Sequence, residues 1–369
     1  VPVRPYDVVS TDSHLEVPPD QWRPYVDAEF QAYVPKVVRL PKGSGDAWEM
    51  PGGGIVPLGL QFAITRPGVE NRYKFSRPVG ISYGPDLAGS GDGHRRIREM
   101  DEDGVDADVL FPAVFGTRGL NLPVEVDAAI CRGYNDWLSR EYTAADPERL
   151  LGLALLPKGS IEDAIAEMRR VATMPGIYGV VNFPDCEPGD DRYFAASLEL
   201  GVPLCSHGSF PTPRVQWPPK GVDVDLSKAM SATAAVKYML SGVFDRLPDL
   251  RIFCAETFCG WLPYAYQMVD EWYERYGLWV DADLQRKPSE YMKRHFMWSF
   301  IVDPMAIRLR HLIGIDNITW STDFPHMNTD WPLSRRSIDE QLGGIPEDER
   351  RRIIRDNAVE FFKLAATSA

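Results

Sequence analysis

From His94 onward the chain alternates short apolar runs with segments of helical spacing, and this alternation leaves few folds open. "HRRIREMDEDG" is a helix stopped by a glycine, and "VDADVLFPAV" is an apolar run of strand length. The same pairing recurs. "VEVDAAICRGYNDWLSREYTAAD" is followed by "RLLGLALLP", "IEDAIAEMRRVATM" by "IYGVVNFP", and "RYFAASLELG" by "VPLCSHG". "AMSATAAVKYMLSGVFDRLP", read as one helix, leads to "LRIFCAE"; "PYAYQMVDEWYERYG" leads to "HFMWSF", and "PMAIRLRHLIG" to "NITWSTDFP". Near-continuous apolar runs mark strands covered on both faces. With Val8–Ser10 read as a first short strand, there are eight strands separated by helices. Strands joined by crossover helices form a parallel sheet. Eight such units close most economically into a (β/α)8 TIM barrel. The alternative is a doubly wound open sheet. It is weakened because no GxGxxG or GxxxxGK[ST] loop follows any strand.

The stretch 22–93 breaks the rhythm. It is rich in Gly and Pro ("RLPKGSGDAWEMPGGG", "DLAGSGDG") and has no clean period. Within a single domain spanning 1–369 it reads as a long insertion after the first strand, a lid or an interface segment. The net charge of −13 argues against nucleic acid or an anionic membrane as partner. No run of eighteen apolar residues is present to span a bilayer. The opening "VPVRPYDVV" has neither the charged nor the apolar region of a secretory signal, and it lacks an initiator Met, as a trimmed or renumbered start would. Five cysteines cannot all pair, and most lie in apolar runs, so reduced thiols in a cytoplasmic protein are expected.

In a barrel the reactive groups sit where strands end at their C-terminal side. The first strand runs out in "TDSHLE", with Asp12 and His14; the fifth ends in Ser206 and His207. Glu256 ends the sixth, and Asp323 the eighth, with His326 just beyond. The second ends in Phe111-Pro112 and the fourth in Asn182-Phe183, neither offering a ligand type. Each polar residue alone has a plain structural reading. His207 can bond a backbone carbonyl, Glu256 can pair with an arginine, and Asp323 can cap a turn. Together they bring two imidazoles and three carboxylates to one mouth of the barrel, a concentration of charge that is costly without a cation. Metal binding is therefore the expectation.

The ordered motifs "STDSHLEVPPD", "REMDEDGVDADVLFPAV", "GYNDWLSREY", "LELGVPLCSHG", "GVFDRLPDLRIFCAETFCGWLPY", "PSEYMKRHF", "WSTDFPHMNTDWP" and "IIRDNAVEFF" resemble the amidohydrolase-related family. That family includes aminocarboxymuconate-semialdehyde decarboxylase-like and resorcylate decarboxylase-like enzymes. The likeness runs from about residue 7 to 364, apart from much of 22–93. It implies a barrel holding a divalent metal, often zinc or manganese. The family's first-strand ligand pair falls on Asp12 and His14, leaving Glu16 outside. The fifth-strand histidine falls on His207, and the eighth-strand aspartate, ligand and base, on Asp323. His326 lies in the "DYPH" extension of many members. Two departures stand out: Glu256 occupies the place of a sixth-strand histidine, and the first ligand is Asp rather than His or Glu. No lysine ends the fourth strand, which excludes a carbamylated-lysine bridge.

The implied chemistry is hydrolysis or non-oxidative decarboxylation of a small cyclic or aromatic acid, with Asp323, Glu256 and His326 as catalytic candidates. Two other readings stand beside it. A dinuclear iron or iron–manganese oxygenase would use Glu256 as a bridge and His326 at a second ion. A non-catalytic metal-binding subunit would support an active relative. Phe111, Trp261 and Trp298 are candidate substrate walls, though each also suits core packing. The aromatic-rich "GWLPYAYQMVDEWYERYG" suggests a subunit surface, and a homo-oligomer, or assembly with a homologous subunit, is expected. A serine-hydrolase reading fails for lack of a GxSxG elbow.

Overall fold

A computed structural model describes residues 6–58, 62, 80–112, 122–181, 190–207, 215–217, 222–224, 232–279 and 283–364. Eight parallel strands form the central sheet: β1 (Val9–Leu15), β5 (Ala107–Pro112), β6 (Leu150–Leu155), β7 (Ile177–Val181), β8 (Leu204–His207), β11 (Ile252–Ala255), β12 (Phe296–Phe300) and β13 (Ile318–Trp320), paired in that order. These are the eight runs read from the sequence. The first and last meet where Ser13 bridges Phe324, with His14 N donating to Phe324 O (2.7 Å) and Asp323 N to Asp12 O (2.8 Å). The sheet thus curls into a barrel whose seam lies beside the strand-end carboxylates.

Helices pack outside: α1 (Gly93–Asp103), α2 (Val124–Trp137), α3 (Ile161–Val171), α4 (Arg192–Leu200), α5 (Ala232–Leu240), α6 (Val243–Arg246), α7 (Leu262–Tyr276), α8 (Pro288–His295), α9 (Pro304–Ile313), α10 (Ser334–Leu342), α11 (Glu347–Arg351) and α12 (Asn357–Phe361). Local chemistry sets their ends. Asp92 accepts the Arg95 amide at the start of α1, Ser160 accepts that of Asp163 at the start of α3, and Asp303 that of Ala306 in α9. Gly104 and Gly201 stop α1 and α4 in the left-handed conformation, where a side chain would be strained.

Three expectations need correction. Segment 229–248 is not one helix: Gly242, at φ 72°, separates α5 from α6. The first strand is not confined to Val8–Ser10 but runs from Val9 through Asp12 and His14 to Leu15. Its register against β5 slips by one residue between Ser10 and Ser13, a bulge that lets the strand carry both polar residues inside the ladder. The last strand is shorter than "NITWSTDFP": pairing stops at Trp320, and Asp323 lies in the turn beyond.

The stretch 22–93 contains regular structure. Strands β2 (Lys36–Arg39), β3 (Asp46–Glu49) and β4 (Ile55–Pro57) form an antiparallel sheet with its own small core of Trp48, Met50, Leu58, Phe62 and Ile81. Downstream of β8, β9 (Val215–Trp217) and β10 (Val222–Val224) pair as a two-stranded ribbon.

Candidate metal centre

β1 is polar in its second half yet fully buried, which requires partners for Asp12, Ser13 and His14. The seam supplies some of them. Ser10 and Ser13 hydroxyls meet the Thr322 hydroxyl at 3.2 and 2.9 Å, and Thr322 N donates to Ser10 Oγ at 3.1 Å. This hydroxyl net fixes the turn that bears Asp323. Asp323 itself sits at φ 56°, in the left-handed region that aspartate tolerates better than most residues.

The side chains converge. His14 Nε2 lies 3.0 Å from Asp323 Oδ1, 3.1 Å from His207 Nε2 and 3.4 Å from Asp12 Oδ1. His207 Nε2 is also 3.4 Å from Asp12 Oδ1. An imidazole nitrogen carries at most one proton, so His14 Nε2 can satisfy only one of these three neighbours by hydrogen bonding. A divalent cation satisfies all four groups at once, and two imidazoles with two carboxylates is an ordinary donor set for zinc, manganese or iron. The residues present therefore fit the metal that the sequence led us to expect. Burial, and then the neighbouring charge of His326, holds His14 well below its usual pKa, keeping the ring in the neutral form that ligates.

His326 stacks on His14 with ring centroids 3.6 Å apart. Its Nδ1 lies 3.3 Å from Asp323 Oδ1 and its Nε2 3.1 Å from Glu16 Oε1. Burial opposes a charge on this ring, but Asp323 and Glu16 on either side outweigh it and lift the imidazole to about 10. Burial likewise opposes charge on Asp323, yet His326 and His14 hold its carboxyl below the usual carboxylate range. For Glu16 burial prevails over His326, and its carboxyl is raised. Glu16, which the family pattern left outside, is thus buried and directly engaged.

Not every candidate joins the cluster. Glu256 follows β11 at φ 55°, with its amide on Ser299 Oγ (2.9 Å), and its carboxylate accepts from Asn328 Nδ2 at 2.9 Å. It belongs to neither group of convergent ligand atoms among the described residues; those groups are Asp12–His14–His207 and His14–Asp323–His326. Phe111 is buried with its ring 4.9 Å from that of His207 and 6.1 Å from that of His14, so it forms an apolar wall beside both imidazoles. Trp298 is buried edge-on against Trp261 (5.5 Å), whose indole N–H donates to Thr257 O. Asn182 and Phe183 lie outside the described residues. The four described cysteines are buried thiols, and Tyr264, Trp272 and Tyr276 of the aromatic-rich segment are exposed. Among the described residues no helix is long and apolar enough to cross a membrane.

Comparison with known proteins agrees with this geometry. The amidohydrolase family profile matches residues 12–364. A gamma-resorcylate decarboxylase from Rhizobium is 29% identical over 301 residues, covering 73% of this chain and 86% of its own length. An amidohydrolase from Mycobacterium avium subsp. paratuberculosis has a similar fold, with TM-score 0.73 at 17% identity over 97% of this chain and 99% of that one. A 5-carboxyvanillate decarboxylase from Novosphingobium aromaticivorans, solved with manganese and 4-hydroxy-3-methoxy-5-nitrobenzoic acid, matches with TM-score 0.59 at 20% identity, over 73% of this chain and 80% of its own.

Proposed function

This chain belongs to the amidohydrolase family, the metal-dependent barrel enzymes related to resorcylate and aminocarboxymuconate-semialdehyde decarboxylases, and from that premise we propose that it removes carbon dioxide from a small aromatic acid. The observation that carries the reading is the convergence of Asp12, His14, His207 and Asp323 on one buried point beside the Phe111 ring. A divalent ion held there supplies Lewis acidity, offsets the carboxylates and attracts the anionic oxygens of a substrate. Manganese is our first choice, because half the donors are hard carboxylate oxygens and a structural neighbour is solved with that ion; zinc is second.

Decarboxylation replaces a ring C–CO2 bond with C–H: the leaving carboxylate departs as CO2, its bonding pair stays on the ring carbon, and one proton must be delivered to that carbon. In this site the proton is held on the His326 imidazole, between Asp323 Oδ1 and Glu16 Oε1. Asp323, itself one of the four converging groups, relays that proton inward, and His326 replenishes it. Phe111 gives the substrate ring an apolar surface and keeps water from it.

Hydrolysis uses the same groups, with Asp323 accepting a proton instead of giving one. A dinuclear oxygenase fits less well. The second ligand group shares His14 with the first, and the carboxylate of Glu256 is engaged by Asn328 rather than lying between two ion sites. The test is metal content by elemental mass spectrometry on protein prepared without chelator, followed by CO2 release from a panel of ortho-hydroxybenzoates. About one ion per chain with CO2 evolution supports the proposal. Metal uptake with hydrolysis of cyclic esters or amides, and no CO2 from any acid, overturns it in favour of a hydrolase.

A further inference from the structure

The seam that presents the metal ligands is not closed by a full strand ladder. Between β1 and the turn after β13 there is a single bridge, Ser13 to Phe324. Besides the Ser10, Ser13 and Thr322 hydroxyls, a side chain from outside both segments spans it. Arg96, from α1, is completely buried. Its Nη1 donates to the carbonyl of His14 (3.3 Å) and its Nη2 to that of Phe324 (3.1 Å), the residue after Asp323. Its Nε donates to Asp108 Oδ2 at 3.1 Å, and its guanidinium lies over the Phe324 ring, 4.5 Å from the centroid. Asp108 is pinned in turn by the Ser13 hydroxyl at 2.5 Å.

We propose that Arg96 is a positioning residue for the metal centre: by tying the main chain of His14 to that of Phe324, it sets how far ligand His14 stands from ligand Asp323 across the seam. The assignment rests on the metal reading above. Three features support a role beyond stability. A buried ion pair is a poor device for stability alone, since apolar side chains of similar volume usually do as well or better. What apolar groups cannot do is hold two carbonyls on two different segments in fixed relation. The guanidinium fork does so with planar geometry that lysine cannot reproduce. Finally, both clamped carbonyls belong to a ligand residue or to its immediate neighbour.

Arg149 is the natural control. It is also buried and also donates to two carbonyls, Asp106 (2.8 Å) and Val105 (3.0 Å), but just ahead of β6, at the opposite end of the barrel. The experiment compares wild type, Arg96→Lys, Arg149→Lys and the milder Ser13→Ala. Each is stripped of metal and titrated with Mn2+ by calorimetry and with Co2+ by visible absorption, and the Tm of each apo-protein is recorded. Arg96→Lys is expected to weaken Mn2+ binding by about tenfold or more, as loss of a supporting contact around a metal site does, and to change the Co2+ ligand-field bands. Ser13→Ala, which keeps the arginine but frees Asp108, shifts both in the same direction by less, and remains informative if Arg96→Lys does not fold. Arg149→Lys lowers the apo Tm with affinity and spectrum unchanged. Wild-type affinity and spectrum in both Arg96→Lys and Ser13→Ala, or in Ser13→Ala where Arg96→Lys cannot be obtained, overturn the assignment while leaving the metal site standing. Wild-type protein that takes up neither ion overturns the metal reading and the assignment with it.

Discussion

The two ends of this barrel use the same residue types for different purposes. At the N-terminal end of the strands, Arg149 ends on the carbonyls of Val105 and Asp106, His295 Nδ1 donates to Leu250 O at 2.7 Å, and Asn357 Nδ2 donates to Ile315 O and Ile318 O, both at 2.8 Å. Arg149, His295 and Asn357 each thus bond main chain there. At the C-terminal end, Asp12, His14, His207 and Asp323 face one another, and one imidazole nitrogen has three close neighbours. Groups that close on the backbone hold a barrel together. Groups that face each other in numbers exceeding their protons are arranged for a ligand. The contrast matches the division in such barrels between a reacting face and a stabilising one.

The strongest test of that contrast is Asp323→Asn. Asparagine tolerates the same left-handed backbone, so the turn survives while the charge is lost. Activity is expected to fall by about a thousandfold or more through loss of a ligand and a proton-transfer group. The apo Tm is expected to fall only modestly, because asparagine keeps the turn and its hydrogen bonding while His326 loses a carboxylate that favours its charge. Steady-state kcat and calorimetry on the same preparation check both halves. A large fall in apo Tm would place Asp323 with the structural groups. Next in size is Asn357→Ala, at the other end. It leaves two buried carbonyls without their donor and should cost about 2–3 kcal/mol in urea unfolding, with kcat and metal content at wild-type values. Loss of metal from this variant would break the separation of the two ends.

How much of this was legible beforehand follows the same division. The apolar runs and helix stops that build the barrel, such as "ADVLFP" and the glycine at 201, are local signals, and they placed all eight strands. Strand-end polarity pointed to Asp12, His14, His207, Asp323 and Glu256 because each is polar where the run before it is not, and of these Glu256 joins neither ligand group among the described residues. Glu16 carried the same strand-end polarity but was set aside by the family pattern: its partner His326 is 310 positions away, and no local pattern links them. The orientation of Glu256 depends on a positive φ at a residue without glycine's freedom, which tertiary context imposes. The sheet of β2 to β4 was hidden by short strands around the turn "PGGG", which carry too little alternation to register. Arg96 sits on the helix after the insertion, and nothing local distinguishes it from Arg95, which makes a surface-side pair with Glu99 at 2.9 Å.

A smaller effect probes the wall of the site. Phe111→Leu conserves most of the volume and should cost less than about 1.5 kcal/mol of stability. If the phenyl ring faces substrate, KM for an aromatic acid rises roughly three- to tenfold, the worth of one aromatic pair, with kcat nearly unchanged. An equal loss in kcat at constant KM would instead mean that the ring supports the His14 and His207 imidazoles it touches.

The mildest test returns to the stabilising end and uses pH. Burial is the main cause that lowers the His295 pKa below its ordinary 6.5, against a smaller opposing effect of its bond to Leu250 O. Below pH 6.5 the unfolded chain therefore takes up a proton that the folded chain resists, and stability declines as pH falls from 6.5 through the lower folded value. Above 6.5 both states are neutral at this position and the contribution is flat. His295→Gln keeps a donor for the carbonyl and removes the titration, so its Tm between pH 5 and 7 should decline less steeply than that of wild type. The comparison is best made on apo-protein, where metal release cannot add its own pH dependence. Parallel curves for the two proteins would mean that the ring, stacked 4.3 Å from Phe244, is protonated as readily in the folded state as in the unfolded one. The N-terminal end of the barrel would then hold a readily protonated group where the burial of His295 predicts none.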